Sequence, residues 1–300
     1  MTKTIMTAAR RFAKSHPLLR TFAQPVVRAI RSISPPAHVS LARSHAQLFK
    51  AIKAGSLIVS LPDFFGSFEF DCYSEILRRI MIHGQYEPEL VKAVKCRIDP
   101  DLDAIDVGAN VGLFTVLMSG LLAASSRTLA IEPTPGALRY LHSNLERNHR
   151  TTNVIVFEGV ATRIAGEFVI NVVPGMDEFS SITELIHPAI EGKPKKQLHV
   201  AGDTIDNLVE RFALQPGFIK IDTEGAEFEV LSGARQTIAK YRPVIVCESW
   251  PDDLLIAAGG TPGGVTNLLQ CFGYEVLTQE EEVIAVPFPT IAKGKRPPQP

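Results

Sequence analysis

The chain has 300 residues, 45% of them apolar, with 31 Lys and Arg against 32 Asp and Glu. That is enough for one large domain with an extension, or for two small domains. A net charge of −1 gives no nucleic-acid signature, and no apolar run approaches the roughly 20 residues that span a bilayer.

The charge is unevenly placed. No Asp or Glu occurs from Met1 to Pro62, whereas Lys3, Arg10, Arg11, Lys14, Arg20, Arg28, Arg31, Arg43, Lys50 and Lys53 are all basic. The amphipathic stretch Thr4 to Ile33 suits a solvated terminal helix, a transit peptide or a peripheral contact with an anionic inner membrane surface. Ser34-Pro35-Pro36 breaks it. The four cysteines, Cys72, Cys96, Cys247 and Cys271, form no C-x-x-C pair and fit a reduced, cytoplasmic protein.

Leu57 to Phe70, with Gly66 within it, predicts a hairpin, and Tyr73 to His83 and Glu87 to Val94 predict helices. From Asp103 the pattern alternates. Strands are expected at Ala104–Val107, Leu129–Ile131, Val154–Phe157, Phe168–Val173, Phe218–Ile221 and Val244–Cys247. Helices are expected at Val111–Ala124, Pro135–Asn148, Asp203–Phe212 (with Asp203 as cap), Phe228–Ala239 and Val265–Phe272. Tyr274–Leu277 and Val283–Val286 close as an antiparallel hairpin. The expected fold is α/β and Rossmann-like, a mostly parallel sheet with an antiparallel edge hairpin and helices on both faces. The expected organisation is a basic extension (1–55), a capping hairpin and helices (56–100), a nucleotide-binding domain (101–288) and a loose Pro-rich tail (289–300).

The chemistry concentrates at two strand ends. The first is Asp106-Val107-Gly108-Ala109-Asn110-Val111-Gly112. A dinucleotide fingerprint needs glycines where this chain has Gly108, Asn110 and Leu113, and Asp106 would repel a pyrophosphate. A nicotinamide-dependent oxidoreductase is therefore disfavoured. S-adenosylmethionine has no phosphate and carries two cationic groups. Asp106 suits its ammonium, directly or through water. Gly108 and Gly112 permit close backbone approach, and Asn110 suits a helix cap. Glu132, ending the second strand of the alternating region, suits the ribose hydroxyls. Glu158, after the third, suits adenine.

The second end is Lys220-Ile221-Asp222-Thr223-Glu224-Gly225-Ala226-Glu227. In a doubly wound sheet it lies beside the first, and its acids repel one another unless something compensates them. Asp222 is the first candidate base for an acceptor hydroxyl, Glu224 the second and His199 the third. A divalent cation held by the carboxylates is an alternative way to activate that hydroxyl, and the sequence leaves both routes open. No His/Cys cluster suggests zinc. Acceptor-lining residues are expected from Phe64 to Tyr86 and from Val173 to Val200.

The segments IDVGANVGLFT, IEPTPGALRYLHSNLERN, FIKIDTEGAEFEVLSGA and VIVCES resemble the FkbM family of S-adenosylmethionine-dependent methyltransferases. The likeness runs from about Gly84 to Glu248, and Ser180-Ser181, preceded by Gly175, resembles a polar loop of that family. It implies a class I methyltransferase fold and O-methylation of a sugar, glycolipid or natural product such as a macrolide. The competing reading is a membrane-associated scaffold with a degenerate methyltransferase domain.

Overall fold

The computed structural model describes residues 55–173, 192, 194–248, 263–279 and 282–288. The basic N-terminal stretch, Gly175, Ser180, Ser181 and the tail after Phe288 lie outside these, as does most of the expected acceptor-lining segment beyond Val173. The chain divides into two compact units, Met1–Ala54 with Arg78–Tyr86, and Gly55–Leu77 with Glu87–Pro300. In the described part of the first, the Arg79 guanidinium lies 4.9 Å from the centroid of the Tyr86 ring. No described helix is long and apolar enough to cross a membrane.

The second unit starts with the expected hairpin, β1 (Ser56–Leu61) and β2 (Gly66–Asp71). The helix α1 (Glu75–His83) belongs to the second unit only through Leu77. After α2 (Pro88–Arg97) come β3 (Asp103–Val107), α3 (Leu113–Leu121), β4 (Thr128–Ile131), α4 (Pro135–Arg147) and β5 (Val154–Phe157). The short β6 (Gly159–Ala161), β7 (Gly166–Val172) and β8 (Lys196–Asp203) form a separate three-stranded sheet. The chain continues through α5 (Ile205–Arg211), β9 (Pro216–Ile221), α6 (Glu227–Ser232), α7 (Arg235–Tyr241) and β10 (Val244–Glu248). It ends with α8 (Gly264–Cys271), β11 (Tyr274–Gln279) and β12 (Glu282–Pro287).

The main sheet has seven strands in the order β11-β12-β10-β9-β3-β4-β5. Five are parallel, and β12 returns antiparallel beside β10 with β11 outside it. The connections leave β3 in one direction toward β4 and β5, and those of β9 run the other way toward β10. The junction of β3 and β9 is thus the topological switch point, where open α/β sheets bind ligands at their carboxyl ends. The central strands are apolar runs because helices cover both faces. Ile105, Leu129, Ile219 and Ile245 are fully buried.

Three local expectations differ. The single helix at 228–239 is broken at Gly233-Ala234. A Cβ on Gly233 would collide with the Thr162 carbonyl, so the backbone itself packs there. The cap of α5 is Thr204, whose hydroxyl accepts the Asn207 N–H at 3.0 Å, while Asp203 accepts from Thr204 N and Asn207 Nδ2. The strand β8, which pairs with β7 and carries His199, lies where the pattern predicted no strand.

Two asparagines tie the hairpin to the domain. The Asn144 amide accepts from Glu69 N at 2.7 Å and donates to Glu69 O at 3.1 Å. Asn148 does the same with Ser67, at 2.9 Å both ways. The spacing explains the match: four residues of helix rise about 6 Å, and two of strand about 6.7 Å. The helix face thereby acts as the missing neighbour of an edge strand. Asn144 also donates to Val111 O at 2.9 Å, reaching the turn after β3. Asp103 has a similar role, accepting from Arg127 N and Gln215 N beside β4 and β9.

Replacing Asn144 by Leu leaves these buried main-chain groups without partners, each at a cost of about 1–3 kcal/mol. Urea unfolding should show a loss of at least about 2 kcal/mol. A change within about 0.5 kcal/mol, as for an ordinary surface substitution, would refute this role.

Candidate functional site

The turn after β3 is held in a left-handed path. Gly108, Asn110 and Gly112 have φ of 76, 49 and 89°. The Gly108 and Ala109 N–H groups both donate to Ile131 O at 3.0 Å. Asn110 N donates to Glu132 Oε2 at 2.9 Å, and Glu132 Oε1 accepts Thr134 N at 2.9 Å and Thr134 Oγ1 at 2.7 Å. Glu132, the residue after β4 and almost wholly buried, therefore fixes the path of the turn. The cap of α3 is Gly112, without a side-chain bond. Asn110 is too far upstream to cap that helix, and its left-handed backbone serves the turn instead.

Asp106 stands one residue before the end of β3 with no solvent exposure. Its Oδ2 accepts the Thr115 hydroxyl at 2.6 Å, and its Oδ1 lies 3.4 Å from Lys220 Nζ. The cation beside Asp106 in the structure is thus a lysine from the neighbouring strand, whose Cα is its register partner. Lys220 Nζ also lies 3.3 Å from Asp222 Oδ2 and 5.1 Å from the centroid of the Phe114 ring. Burial alone would push the Lys220 ammonium down. Asp222, Asp106 and Glu87 outweigh it, and the group is held above its ordinary range.

The two turns touch. Asp222 N donates to Val107 O at 3.0 Å. A Cβ on Gly108 would overlap the Asp222 carbonyl. The next turn is pinned from below: Glu227 Oε1 accepts Thr223 N, Thr223 Oγ1 and Gly225 N, each at 3.1 Å. This holds Glu224 and Gly225 at φ of 53 and 96°, a pair of left-handed residues. Burial raises the Glu227 carboxyl above its ordinary value of 4.5, against the pull of those hydrogen bonds.

Asp222, Glu224 and Glu248 come together here. One carboxylate oxygen from each lies within 4.8 Å of the others, and all three are half-buried. The arrangement offers oxygen donors of the kind that hard divalent cations take. Glu158 follows β5, is exposed, and has its Oε1 3.2 Å from His142 Nε2. The flanking Phe157 carbonyl and Gly159 N–H pair with the Glu132 main chain. His199 is an exposed residue of β8, opposite Val169.

Two residues escaped the sequence reading. Glu248 joins the acid cluster from the end of β10, and its signal was an acid closing the apolar run VIVC. Lys220 was visible as a charge inside the apolar strand FIKI, but its partner Asp106 becomes evident only from the strand register.

The Methyltransferase FkbM domain matches residues 106–275, more than half of the chain. The chain belongs to this family. Similar proteins include the methyltransferase sdnD of Sordaria araneosa, 25% identical over 206 residues, covering 59% of this chain and 75% of that protein. The AMB antimetabolite synthetase AmbE of Pseudomonas aeruginosa is 24% identical over 219 residues, covering 62% of this chain. The match spans only 10% of AmbE. Among solved structures, the FkbM methyltransferase of Methylobacillus flagellatus is similar at 17% identity with a TM-score of 0.43, covering 70% of this chain and 52% of that one.

Gly108→Ala adds a methyl group where the Asp222 carbonyl lies and strains a left-handed residue. It should separate the two turns, costing more than the about 1–3 kcal/mol usual for overpacking. A melting temperature equal to wild type would contradict this contact.

Glu227 gives a pH prediction. Its folded pKa is raised from 4.5, so the folded state binds more protons between those values. Its contribution to stability falls as pH rises through that window. Glu227→Gln keeps the acceptor oxygen and removes the titration. The stability of the variant relative to wild type should rise with pH above 4.5 and then level off. Parallel stability curves across that window would count against this.

Proposed function

We propose that this protein transfers a methyl group from S-adenosylmethionine to a hydroxyl of a sugar, glycolipid or natural-product acceptor. The observation that carries the reading is the contact between the Gly108 turn and Asp222 at the switch point of the sheet. It sets a candidate proton acceptor beside the turn that would hold the donor.

The residues present suit that donor. The Gly108–Gly112 turn is glycine-bearing and left-handed, and it leads into the N-terminus of α3. Glu132 follows β4 beside that turn, where ribose hydroxyls would donate to it. Glu158, following β5, is assigned to the adenine end. Asp106 contributes at one remove, through Lys220 and the end of β3. When bound, the donor supplies a methyl carbon whose bond to sulfur breaks, leaving its electron pair on sulfur, as the acceptor oxygen attaches.

Asp222 is assigned the acceptor hydroxyl's proton, with Glu224 as the second candidate. A positioned base of this kind supplies about 10²–10⁴-fold in rate. The cluster of Asp222, Glu224 and Glu248 favours a second version, in which the same oxygens hold a divalent cation that activates the hydroxyl. The acid-free stretch from Met1 to Pro62 supports peripheral contact of a cytoplasmic enzyme with an anionic membrane surface.

The primary test is thermal stabilisation by S-adenosylhomocysteine, about 2.7 kcal/mol at a ligand concentration one hundred times Kd. It is followed by labelled-donor profiling of cell extract and mass spectrometry of the product. No stabilisation and no labelled product would exclude the reading. Asp222→Asn should keep S-adenosylhomocysteine affinity within a few-fold and lower turnover by about 10²–10⁴. Preserved turnover would make Asp222 structural. Chelation should abolish turnover in the cation version and leave it unchanged in the base version.

A further inference from the structure

The ammonium of Lys220 sits where three oxygens converge. Asp222 Oδ2 is 3.3 Å away, Asp106 Oδ1 3.4 Å and the Gly108 carbonyl oxygen 3.5 Å. The side chain is 4% exposed, and the Phe114 ring lies beside it. Lys220 donates hydrogen bonds to Asp222 Oδ2 and to the Gly108 carbonyl, and it meets Asp106 Oδ1 as an ion pair, so one ammonium links the carboxylate, the buried aspartate and the turn. The far side of the cluster is fixed, because Thr115 donates to Asp106 Oδ2 at 2.6 Å.

A buried lysine is a poor way to stabilise a strand. Taking the charge out of water offsets much of the pairing, and a well-packed apolar side chain often does as well or better. What the lysine adds is placement. It takes one oxygen of Asp222, and among the described residues no hydrogen bond is donated to the other, Oδ1, on a side chain 34% exposed. We propose that Lys220 is a positioning residue for methyl transfer. It holds Asp222 Oδ2 inward against the Gly108 turn, so that Oδ1 presents itself to the acceptor hydroxyl at a fixed place relative to the donor. This rests on the methyl-transfer reading above.

A double-mutant cycle of Lys220→Met and Asp222→Asn tests it. The probes are S-adenosylhomocysteine for binding and labelled donor with the extract fraction that wild type methylates. If Lys220 acts through Asp222, Lys220→Met lowers turnover about 30-fold or more, and the double variant is within about threefold of Asp222→Asn alone. S-adenosylhomocysteine affinity stays within about threefold throughout. Multiplying effects, undiminished turnover in Lys220→Met, or affinity falling in step with turnover each overturn the proposal. Should Lys220→Met fail to fold, the same cycle is run in an Asp106→Asn background, which neutralises the buried carboxylate it would strand, with every change in turnover and affinity taken relative to Asp106→Asn alone. Wild type that binds no S-adenosylhomocysteine and transfers no methyl would instead refute the methyl-transfer reading.

Discussion

The Val107 carbonyl takes the Asp222 N–H, and the Gly108 backbone lies against the Asp222 carbonyl. This pairing of two parallel strand ends is the constraint on which the site depends. It requires glycine at position 108, because any Cβ there would occupy the space of the Asp222 carbonyl. It also sets the register that places Asp106 opposite Lys220. The candidate base and the donor turn are thus parts of one backbone arrangement.

Around that contact the polar groups form supporting layers. Glu132 and Glu227 are both buried acids, and each spends a carboxylate on the main-chain N–H groups of a left-handed turn. Such turns have few internal hydrogen bonds, and buried amides need partners. Asn144 extends the support outward by joining the hairpin, α4 and the Val111 carbonyl. The acids around the site therefore divide into two groups. Glu132 and Glu227 hold backbone, whereas Asp222, Glu224 and Glu248 remain half-buried at the crevice.

Much of the architecture was legible. The alternation of short apolar strands with amphipathic helices leads directly to a parallel sheet, and the closing hairpin to its antiparallel edge. Periodicity succeeds there because the central strands are covered on both faces. It fails at Gly233, where the helix pattern continues across a break imposed by the Thr162 carbonyl. It also fails at Asn110, whose capping chemistry is correct in type but is displaced by the left-handed path of its backbone.

By itself the sequence determined the α/β class, the two strand ends that carry the chemistry and the resemblance to the FkbM family. These are local properties, written in spacing and residue type. The tertiary structure alone decided what each acid faces. Asp106 meets Lys220, Glu248 joins Asp222 and Glu224, and Glu158 pairs with His142. The first crosses between strands far apart in sequence, the second joins the end of β10 to the turn after β9, and the third links a helix to the loop after β5. Only the sheet register and the helix packing set such distances, and no local pattern of residues encodes them.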